Sequence, residues 1–430
     1  MIINENPLIS NSLWTSTANL KPTFDTLSGS EEFEVTIIGG GLSGVSTLYH
    51  CLLKGINACL VETNVIGWGA SGRNGGQVNP GLKELPETII AHFGDVMGRR
   101  IIELCGGAPD YLFKLIEDNN IDCSSEQNGW IQASNNNRGF KMNEEAFRQW
   151  TDYDAPVNLL SQSEVEGLIG SENYVAGFLD RRGGKIHPLN YVVGLAFAAQ
   201  KSGGVIYENA PVTKINQTKS GYQILCGNNE IKSEKIVLAT NGYGNSTSGT
   251  SNKNVIPVQS IQVSTAPLSD NLLGTILPNG HVVSDTQRLL KYFRIAENGR
   301  LLMGGRGGTS NLTTNQQILE LKNFIVKMFP NLRDISFEYC WGGNVALTLN
   351  HYPQICELSK GMISLSGYNG RGNAMTTVLG KVVADKLSGL EDKDLDFPVT
   401  KHESVPFGKL HQVVLPLAMG YNRVLDKYRI

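Results

Sequence analysis

The fold is decided by Glu34-Val-Thr-Ile-Ile-Gly39-Gly40-Gly41-Leu42-Ser43-Gly44 and, further along the chain, by Cys59-Leu-Val-Glu62. The first stretch predicts a short apolar strand and a glycine turn that opens an amphipathic helix. The second predicts a strand that ends in a carboxylate. A glycine-rich turn alone is common, but here it stands in the full order of strand, turn, helix, strand and acidic end. The two stretches therefore predict a βαβ unit that binds a dinucleotide.

Each glycine of this turn has a role when the ligand is a dinucleotide. Gly39 allows the tight turn, Gly41 lets the backbone approach a pyrophosphate, and Gly44 lets the helix pack closely on the strand. The N-terminus of the helix offers N–H groups and a partial positive charge to the phosphates. Glu62 stands where a carboxylate accepts hydrogen bonds from a ribose diol. The alternative is a tight turn that binds nothing, and the context of the motif disfavours it.

Composition limits the class of protein. A chain of 430 residues predicts about two domains, and a net charge of −3 gives no basic surface for nucleic acid. The seven cysteines are odd in number and never spaced as CxxC, which argues against a disulfide framework and against a zinc site. The sequence shows no secretory signal and no apolar run of the roughly eighteen residues that a membrane helix needs. We therefore expect a cytoplasmic protein with no metal, no nucleic-acid partner and no integral membrane segment.

The remaining chain alternates between helical and β-rich stretches. Residues 86–150 have apolar side chains at helical spacing, and residues 255–308 read as strands. A strand, a glycine turn and a helix return at 361–387. We predict a discontinuous nucleotide-binding domain with an inserted second domain. The first comprises residues 1–85, 183–255 and 340–430, and the second comprises 86–182 and 256–339. The last twenty residues form an amphipathic segment that we expect to pack on the body, with a membrane or partner contact as the alternative.

Six motifs follow one another along the chain: Gly39-Gly-Gly-Leu-Ser-Gly44, Gly67-Trp-Gly-Ala-Ser-Gly-Arg-Asn-Gly-Gly-Gln77, Lys185-Ile-His-Pro188, Leu238-Ala-Thr-Asn-Gly242, Trp341-Gly-Gly-Asn344 and Gly367-Tyr-Asn-Gly-Arg-Gly372. They occur in the order found in D-amino-acid-oxidase-type flavoproteins, which the chain resembles from about residue 33 to 425. Within this family the chain is most similar to the γ-glutamylputrescine oxidase branch of amine and amino-acid oxidoreductases. The second and the last motif are specific to the group, whereas the first is not.

The resemblance implies an α/β (α+β) fold, non-covalent FAD as cofactor, and oxidation of a C–N bond. It implies a Rossmann-like FAD-binding domain of the glutathione-reductase type, discontinuous, with an inserted substrate domain of mixed β-sheet and helices. The residues that it assigns to the ADP half of FAD are Gly39, Gly41, Leu42, Ser43, Gly44 and Glu62, with Val212 reaching the adenine through its backbone. Those along the pyrophosphate and one flavin face are Ser71, Arg73, Asn74, Gly75, Gly76 and Gln77. Those at the pyrimidine edge are Gly342, Gly343, Gly367, Tyr368, Gly370, Arg371 and Gly372.

Arg371 is a candidate catalytic residue. The two glycine turns let backbone N–H groups approach the carbonyl edge of isoalloxazine, where reduction places negative charge, and an arginine beside them stabilises that charge. The alternative is an arginine in a surface salt bridge.

The substrate side rests on Tyr292 and Arg294, which share one face of a predicted strand. An arginine facing a cavity is a bidentate partner for a substrate carboxylate, and a tyrosine adds a hydrogen bond. An ion pair at the domain interface is an equally good interpretation. Trp341 and Tyr368 are candidate aromatic walls around a cationic amine, with core packing as the alternative. His187 we interpret as structural support for the FAD domain rather than as a base.

Three departures from the sarcosine-oxidase branch bear on function. No cysteine lies in Val345–Thr348, the segment where that branch links its flavin, so we expect non-covalent FAD. Leu301–Met303 occupies the segment that matches an oxygen-activating lysine, which puts fast reaction with O₂ in doubt. Ala374 stands where that branch places a carboxylate-binding lysine.

The sequence therefore predicts an FAD-dependent amine or amino-acid oxidoreductase. A hydride passes from the substrate C–H to flavin N5, and the imine hydrolyses to a carbonyl compound. Reoxidation by O₂ with release of peroxide is the first expectation. The alternatives are a dehydrogenase that passes electrons to a quinone or protein acceptor, and a non-catalytic FAD-binding maturation factor. A nicotinamide dehydrogenase is disfavoured, because a second glycine fingerprint is missing from the sequence.

Overall fold

The computed structural model describes residues 12–21, 23–244, 254–306 and 314–402, with 405, 421–422 and 425–426. The α-helices in these ranges are α1 (Leu13–Thr17), α2 (Leu42–Leu53), α3 (Pro86–Phe93), α4 (Asp95–Asp118), α5 (Asn137–Thr151), α6 (Gln162–Ile169), α7 (Pro188–Lys201), α8 (Asp270–Leu273), α9 (Thr314–Met328) and α10 (Gly372–Leu387).

The strands form two large sheets and one small one. They are β1 (Ser30–Ile38), β2 (Ala58–Val61), β3 (Gln77–Val78), β4 (Trp130–Ser134), β5 (Val157–Leu160), β6 (Ala176–Asp180), β7 (Gly184–Lys185), β8 (Val205–Tyr207), β9 (Lys214–Gln217), β10 (Tyr222–Cys226), β11 (Asn229–Leu238), β12 (Ile256–Pro267), β13 (Val282–Asp285), β14 (Lys291–Ala296), β15 (Arg300–Arg306), β16 (Phe337–Leu347), β17 (Gln354–Ser359), β18 (Met362–Ser366) and β19 (Val399–Thr400).

The first sheet has the order β19-β17-β18-β11-β1-β2-β8, and the β9–β10 hairpin joins it through β11. Its central strands β18, β11, β1, β2 and β8 are parallel. Strands of this kind are apolar along their length because both of their faces are covered. Val35 and Ile37 of β1 belong to the cluster that packs beneath α2, α7 and α10. Ile38 instead packs with Tyr222 and Ile224 on the opposite face. The predicted βαβ unit is therefore the centre of this sheet.

The second sheet has the order β16-β12-β15-β14-β13-β4-β6-β5. It is antiparallel except for the parallel pair β13 and β4. Helix α9 packs on one face, where Phe293 and Met303 meet Leu321 and Ile325. Residues of β14 alternate between the two faces, so Tyr292 and Arg294 point to the other side, as the two-residue alternation predicts. That face meets the loop that follows β2.

The sequence misses three features of this organisation. The stretch 86–150 predicted as helical contains strand β4, which pairs with β13 from 152 residues further along the chain, as in Val282 opposite Trp130. Helix α4 packs against α10, so this part of the segment predicted as substrate domain joins the core of the first sheet. The boundary predicted at residue 340 falls inside β16, a strand of the second sheet. The placement of the domain boundaries otherwise stays a prediction.

Two remaining predictions concern the ends of the fold. The amphipathic segment at the C-terminus lies mostly outside the described residues, which include only 421–422 and 425–426 of it. Among the helices that the structure describes, none combines the length and apolarity needed to cross a bilayer.

Candidate functional site

The glycine turn after β1 is as tight as its sequence predicts. Gly39 has a φ of +115°, a backbone conformation that favours glycine. A Cβ on Gly44 would lie 2.0 Å from the carbonyl oxygen of Gly39, so only glycine lets α2 begin this close to the turn. A Cβ on Gly41 would meet only the Ser71 side chain, at 3.0 Å from its Oγ. Gly44 thus serves packing, whereas Gly41 borders the start of the helix.

The N-cap residue of α2 is Gly41, which has no side chain to cap the helix. The Oγ of Ser71 accepts a hydrogen bond from the Leu42 N–H at 2.8 Å, which brings the loop after β2 to the helix end. The other N–H groups of the first turn have no intrahelical acceptor, as in any α-helix. The helix end therefore offers donors and a partial positive charge to an anion.

Glu62 ends β2 beside this turn. Its two carboxylate oxygens accept hydrogen bonds from the backbone N–H groups of Gly40 at 2.6 Å and Asn64 at 2.8 Å. Burial raises the pKa of Glu62, an effect that these hydrogen bonds oppose. The carboxylate is thus held in place by backbone donors, and each oxygen keeps acceptor capacity for a further hydroxyl. The backbone that leads to Val212 lies alongside, because the Ala210 N–H donates to the Glu62 carbonyl at 2.9 Å.

The loop of residues 67–77 is organised by Asn74. The Asn74 Oδ1 accepts hydrogen bonds from the Gly76 N–H at 2.8 Å and from Asn373 Nδ2 at 3.0 Å. Its Nδ2 donates to the carbonyl of Ser71 at 2.9 Å. One side chain thus fixes the loop internally and joins it to the first turn of α10.

The end of this loop lies flat against the second sheet. Gly76 has a φ of +68°, and a Cβ there would lie 2.3 Å from the Ile186 carbonyl oxygen and 2.6 Å from Arg294 Nη2. A Cβ on Gly75 would lie 2.6 Å from the ring of Tyr292. These two positions require glycine because Tyr292 and Arg294 of the sheet, together with the Ile186 carbonyl, leave no room for a side chain.

Two further residues tie the loop to the second sheet. The carbonyl of Arg73 accepts hydrogen bonds from Trp341 Nε1 at 2.9 Å and from Gln262 Nε2. The side-chain amide of Gln77 donates to the carbonyls of Val283 at 3.0 Å and Phe293 at 3.2 Å. The Arg73 guanidinium turns back onto its own loop, where its Nε donates to the Trp68 carbonyl at 2.7 Å.

The second glycine turn, residues 367–372, leads into α10. Tyr368 joins the two helix ends, since its hydroxyl oxygen accepts a hydrogen bond from Ser43 Oγ at 2.7 Å. No side chain of the N-cap residue Arg371 caps α10 either. A Cβ on Gly370 or on Gly372 would meet no described atom within 4 Å. Two helix N-termini that their own N-cap residues leave uncapped are therefore joined here, with open space at Gly370 and Gly372.

Gly343 completes this arrangement from strand β16. A Cβ on it would lie 3.3 Å from the Tyr243 hydroxyl and 3.4 Å from Arg73 Cβ, and Gly342 would meet the Ser260 carbonyl at 3.1 Å. Two buried acceptors, Gln262 Oε1 and Asn373 Oδ1, have no partner among the described residues. Sequence reasoning did not single out these two residues, because neither belongs to a glycine motif. Their unused acceptors border the loop at Gly75 and the start of α10.

The substrate role of Arg294 stays a prediction, and the structure gives its side chain partners within the protein. Its side chain is fully buried, and Nε and Nη2 donate to the carbonyls of Gly75 at 2.8 Å and Ile186 at 3.0 Å. Glu297 Oε1 lies 3.8 Å from Nη2. Strand alternation gives the correct face, but that face is covered by the loop of residues 67–77. Arg294 therefore ties the backbone at Gly75 and Ile186 to the second sheet, mainly through hydrogen bonds to carbonyls rather than through the interface ion pair that was the alternative.

The aromatic wall at Trp341 also stays a prediction, and the described contacts of the ring are those of core packing. The indole is 5% exposed and packs edge-on against Trp14, with ring centroids 5.8 Å apart. Tyr368 is likewise buried, and its hydroxyl bonds to Ser43. Both rings are core packing, the alternative stated for each.

Tyr292 lies beside the loop of residues 67–77. Its hydroxyl lies 3.0 Å from Ser260 Oγ, and its ring covers Gly304, where a Cβ would come within 2.1 Å. Burial raises the pKa of Tyr292 to about 12, so the hydroxyl stays protonated at neutral pH. It can donate a hydrogen bond or accept one.

The Arg371 side chain is held by contacts with other parts of the same chain. Its Nη1 donates to the Pro80 carbonyl at 3.0 Å, and its guanidinium lies 4.6 Å from the centroid of the Trp130 ring. Burial lowers the pKa of Arg371 to about 10, against the charge of Asp180, so the group stays cationic at neutral pH. It makes no ion pair within 4 Å of any described residue, which leaves the surface salt bridge unsupported.

His187 caps helix α7. Its Nδ1 accepts a hydrogen bond from the Asn190 N–H at 3.1 Å, and the side chain is fully buried. Burial lowers the pKa of His187 to about 4. These contacts agree with the structural role that the sequence predicts.

A cavity of about 430 Å³ lies elsewhere, between α9 and the loop around Thr286, and none of the predicted site residues lines it.

The comparisons with known proteins fit this geometry. The family model described as FAD dependent oxidoreductase matches residues 34–386. The chain belongs to this family. It is 29% identical to gamma-glutamylputrescine oxidoreductase of Escherichia coli K12 over 413 residues, which cover 95% of this chain and 96% of that protein. The predicted family, the resemblance to the γ-glutamylputrescine oxidase branch and the expectation of an FAD-dependent oxidoreductase are confirmed.

Solved structures confirm the fold class. Glycine oxidase from Geobacillus kaustophilus superposes with a TM-score of 0.73 at 18% identity, covering 87% of this chain and all of that one. L-proline dehydrogenase from P. horikoshii gives a TM-score of 0.68 at 20% identity, covering 83% and 93%. The cofactor of the family is FAD. The two helix N-termini, the glycine positions and the unused acceptors of Gln262 and Asn373 fit such a group.

Proposed function

We propose that this FAD-dependent enzyme oxidises a C–N bond in an amine or an amino acid, and that a carbonyl compound forms when water hydrolyses the imine. The observation that carries the proposal is the pairing of the N-termini of α2 and α10 through Ser43 and Tyr368. It offers one positive helix end to a pyrophosphate and a second to a ring that gains negative charge on reduction. The E. coli relative, named for gamma-glutamylputrescine, supports an amine as substrate.

The cofactor residues proposed from the motifs divide between these two ends. Gly41, Ser43 and the first turn of α2 would hold the pyrophosphate, and Glu62 would accept hydrogen bonds from the ribose. Asn74 would keep the loop of residues 67–77 on the ring, because it fixes the loop to α10. The N–H groups at Gly372 would face the pyrimidine edge. FAD, when bound, supplies the oxidising power by accepting a hydride.

The protein's own contribution to catalysis would be positioning and charge. The Tyr292 hydroxyl, held by Ser260, can orient the amine through a hydrogen bond. Arg371 adds a permanent positive charge near the start of α10, although its direct contacts are Pro80 and Trp130. Holding the reacting groups in place reduces the barrier without side-chain acid–base chemistry. The amine must arrive neutral, so its proton leaves to water before oxidation.

Two versions of this function differ in the electron acceptor. In the first, O₂ reoxidises the reduced cofactor and peroxide is released. In the second, a quinone or protein accepts the electrons. The buried, wholly apolar Leu301–Met303 stands where the sarcosine-oxidase branch carries its oxygen-activating lysine, and this favours the second.

Turnover with a panel of substrates tests the proposal. Amino acids, N-methyl amino acids, polyamines and γ-glutamylated polyamines are assayed in air with peroxide detection, and again with an artificial quinone as acceptor. The proposal expects a carbonyl product from one class. Peroxide in step with product identifies an oxidase, whereas turnover only with the quinone identifies a dehydrogenase. A fully FAD-loaded protein that forms no product with any class would contradict it and support a maturation factor.

A further inference from the structure

Residues 12–20, the N-terminal strap, precede the segment that the family model matches, which begins at residue 34. The strap contains α1, and Ser12 forms a capping box with Thr15 at its start. Leu13 and Trp14 are fully buried. A short helix of five residues has little stability of its own, so these buried side chains fix it in place.

Trp14 contacts three separate parts of the molecule. Its Nε1 donates to the carbonyl of Asn74, in the loop of residues 67–77, at 2.8 Å. Its ring lies 5.0 Å from the Arg294 guanidinium and 5.8 Å from the Trp341 ring, both on the second sheet. It also lies 5.1 Å from the ring of His187, the N-cap of α7. The indole is therefore the common neighbour of the loop, the second sheet and the start of α7.

The Asn74 carbonyl is a sensitive point of this loop. The Asn74 side chain joins Gly76 to Asn373 on α10, so a shift of Asn74 moves the loop relative to the helix end. The bond from Trp14 holds the backbone of Asn74 at its carbonyl. Loss of the donor leaves a carbonyl without its partner in a protein interior, which is costlier than loss of an exposed contact.

The strap has a second anchor on α7. Thr17 Oγ1 lies 3.1 Å from His187 Nε2, and the Asn19 N–H donates to Asn190 Oδ1 at 3.2 Å. His187 thus caps α7 with one ring nitrogen and meets the strap with the other. These bonds fix the strap along the helix and leave Trp14 facing the loop.

We propose that Trp14 is a positioning residue for FAD: through the Asn74 carbonyl it sets the place of the loop that covers the cofactor. This inference rests on the proposed binding of FAD by residues 71–77. It differs from a packing role, because the indole N–H, rather than the ring volume, carries the effect on the loop.

The test compares Trp14→Phe, Trp14→Ala and the control Trp150→Phe in the full chain. Trp150 is also a buried tryptophan, but its ring contacts Arg182 and Tyr153 rather than Asn74. Trp14→Phe keeps an aromatic ring and removes the donor. The FAD dissociation constant, the visible circular dichroism of bound flavin and the melting temperature of the apoprotein are measured without any amine.

Loss of one buried hydrogen bond predicts FAD affinity that is lower by about two- to tenfold in Trp14→Phe, with altered flavin dichroism. A larger loss of FAD affinity is expected for Trp14→Ala. For Trp150→Phe, FAD affinity is expected to change no more than its change in melting temperature accounts for. Wild-type FAD affinity and dichroism in Trp14→Phe would overturn the proposal. The proposal would also be overturned if FAD affinity fell in proportion to melting temperature, and by the same proportion, in the Trp14 and Trp150 variants. Because no amine is present, failure here is distinct from failure of the proposed C–N oxidation.

Discussion

Gly41 and Gly44 stand three residues apart in one motif, yet the structure gives them different tasks. A Cβ at Gly44 would lie 2.0 Å from a backbone carbonyl oxygen, well inside the 3.4 Å at which ordinary contact begins. A Cβ at Gly41 would meet a single side-chain oxygen at 3.0 Å, and its backbone, with φ −84° and ψ 177°, suits any residue. We therefore expect Gly44→Ala to impair folding and Gly41→Val to impair cofactor binding.

The sizes of the two effects follow from these contacts. Overpacking against a rigid backbone costs about 3 kcal/mol, and the higher helix propensity of alanine returns about 1 kcal/mol, so Gly44→Ala loses about 2 kcal/mol in the apoprotein. Gly41→Val changes the stability of the apoprotein by less than about 1 kcal/mol. Its side chain, however, fills the space before the first turn of α2. Loss of two hydrogen bonds to a charged phosphate, about 1.5 kcal/mol each, lowers FAD affinity at least about 100-fold.

Two measurements on the flavin-free proteins separate the effects. Urea unfolding of the apoprotein gives the stability, and quenching of FAD fluorescence on titration gives the affinity. The reasoning is refuted if Gly41→Val binds FAD as tightly as wild type, since the pyrophosphate would then not lie at α2. It is equally refuted if Gly44→Ala unfolds at the wild-type urea concentration.

Three further predictions address other parts of the account. Arg294→Lys is expected to lower the free energy of unfolding by about 2–3 kcal/mol, because two buried carbonyls lose their donor, with the ratio of KM for substrates with and without a carboxylate unchanged. A selective rise in KM for the carboxylated substrate would restore the carboxylate role. Burial raises the pKa of Asp285 from 3.8 to about 7, so the folded protein favours the protonated carboxyl. The folding stability that the protonated carboxyl contributes is therefore lost as pH rises from about 4 through about 7. Asp285→Asn should therefore gain stability relative to wild type across that range, by up to about 4 kcal/mol, in urea unfolding at several pH values; a difference independent of pH would contradict it. Acid precipitation should leave all flavin in the supernatant, and a yellow pellet would show a covalent link.

The glycine motifs predict the two turns because part of their requirement is local. Gly39 adopts a positive φ, and Gly44 must clear the Gly39 carbonyl, so both requirements lie inside one short segment. In the turn that opens α10, Gly367 and Gly370 likewise have positive φ values. The FAD-dependent family and the fold class follow from these motifs and from their order along the chain.

The substrate side resists prediction because its contacts join distant parts of the chain. Strand alternation places Tyr292 and Arg294 on one face, but it cannot tell an open cavity from the Gly75 carbonyl, 219 residues away in sequence. Trp341 is buried by Trp14 in the same way. Strand β4 escapes notice because it is a five-residue segment between helices whose partner strands lie far along the sequence.

The central claim, that this enzyme oxidises C–N bonds, is tested most directly by anaerobic titration of the yellow protein with amines. The flavin spectrum is recorded while amino acids, N-methyl amino acids, polyamines and γ-glutamylated polyamines are added in turn. The account predicts that one of these classes bleaches the flavin and yields the corresponding carbonyl compound in stoichiometric amount. Flavin that stays oxidised with every class, in a protein fully loaded with FAD, would contradict it.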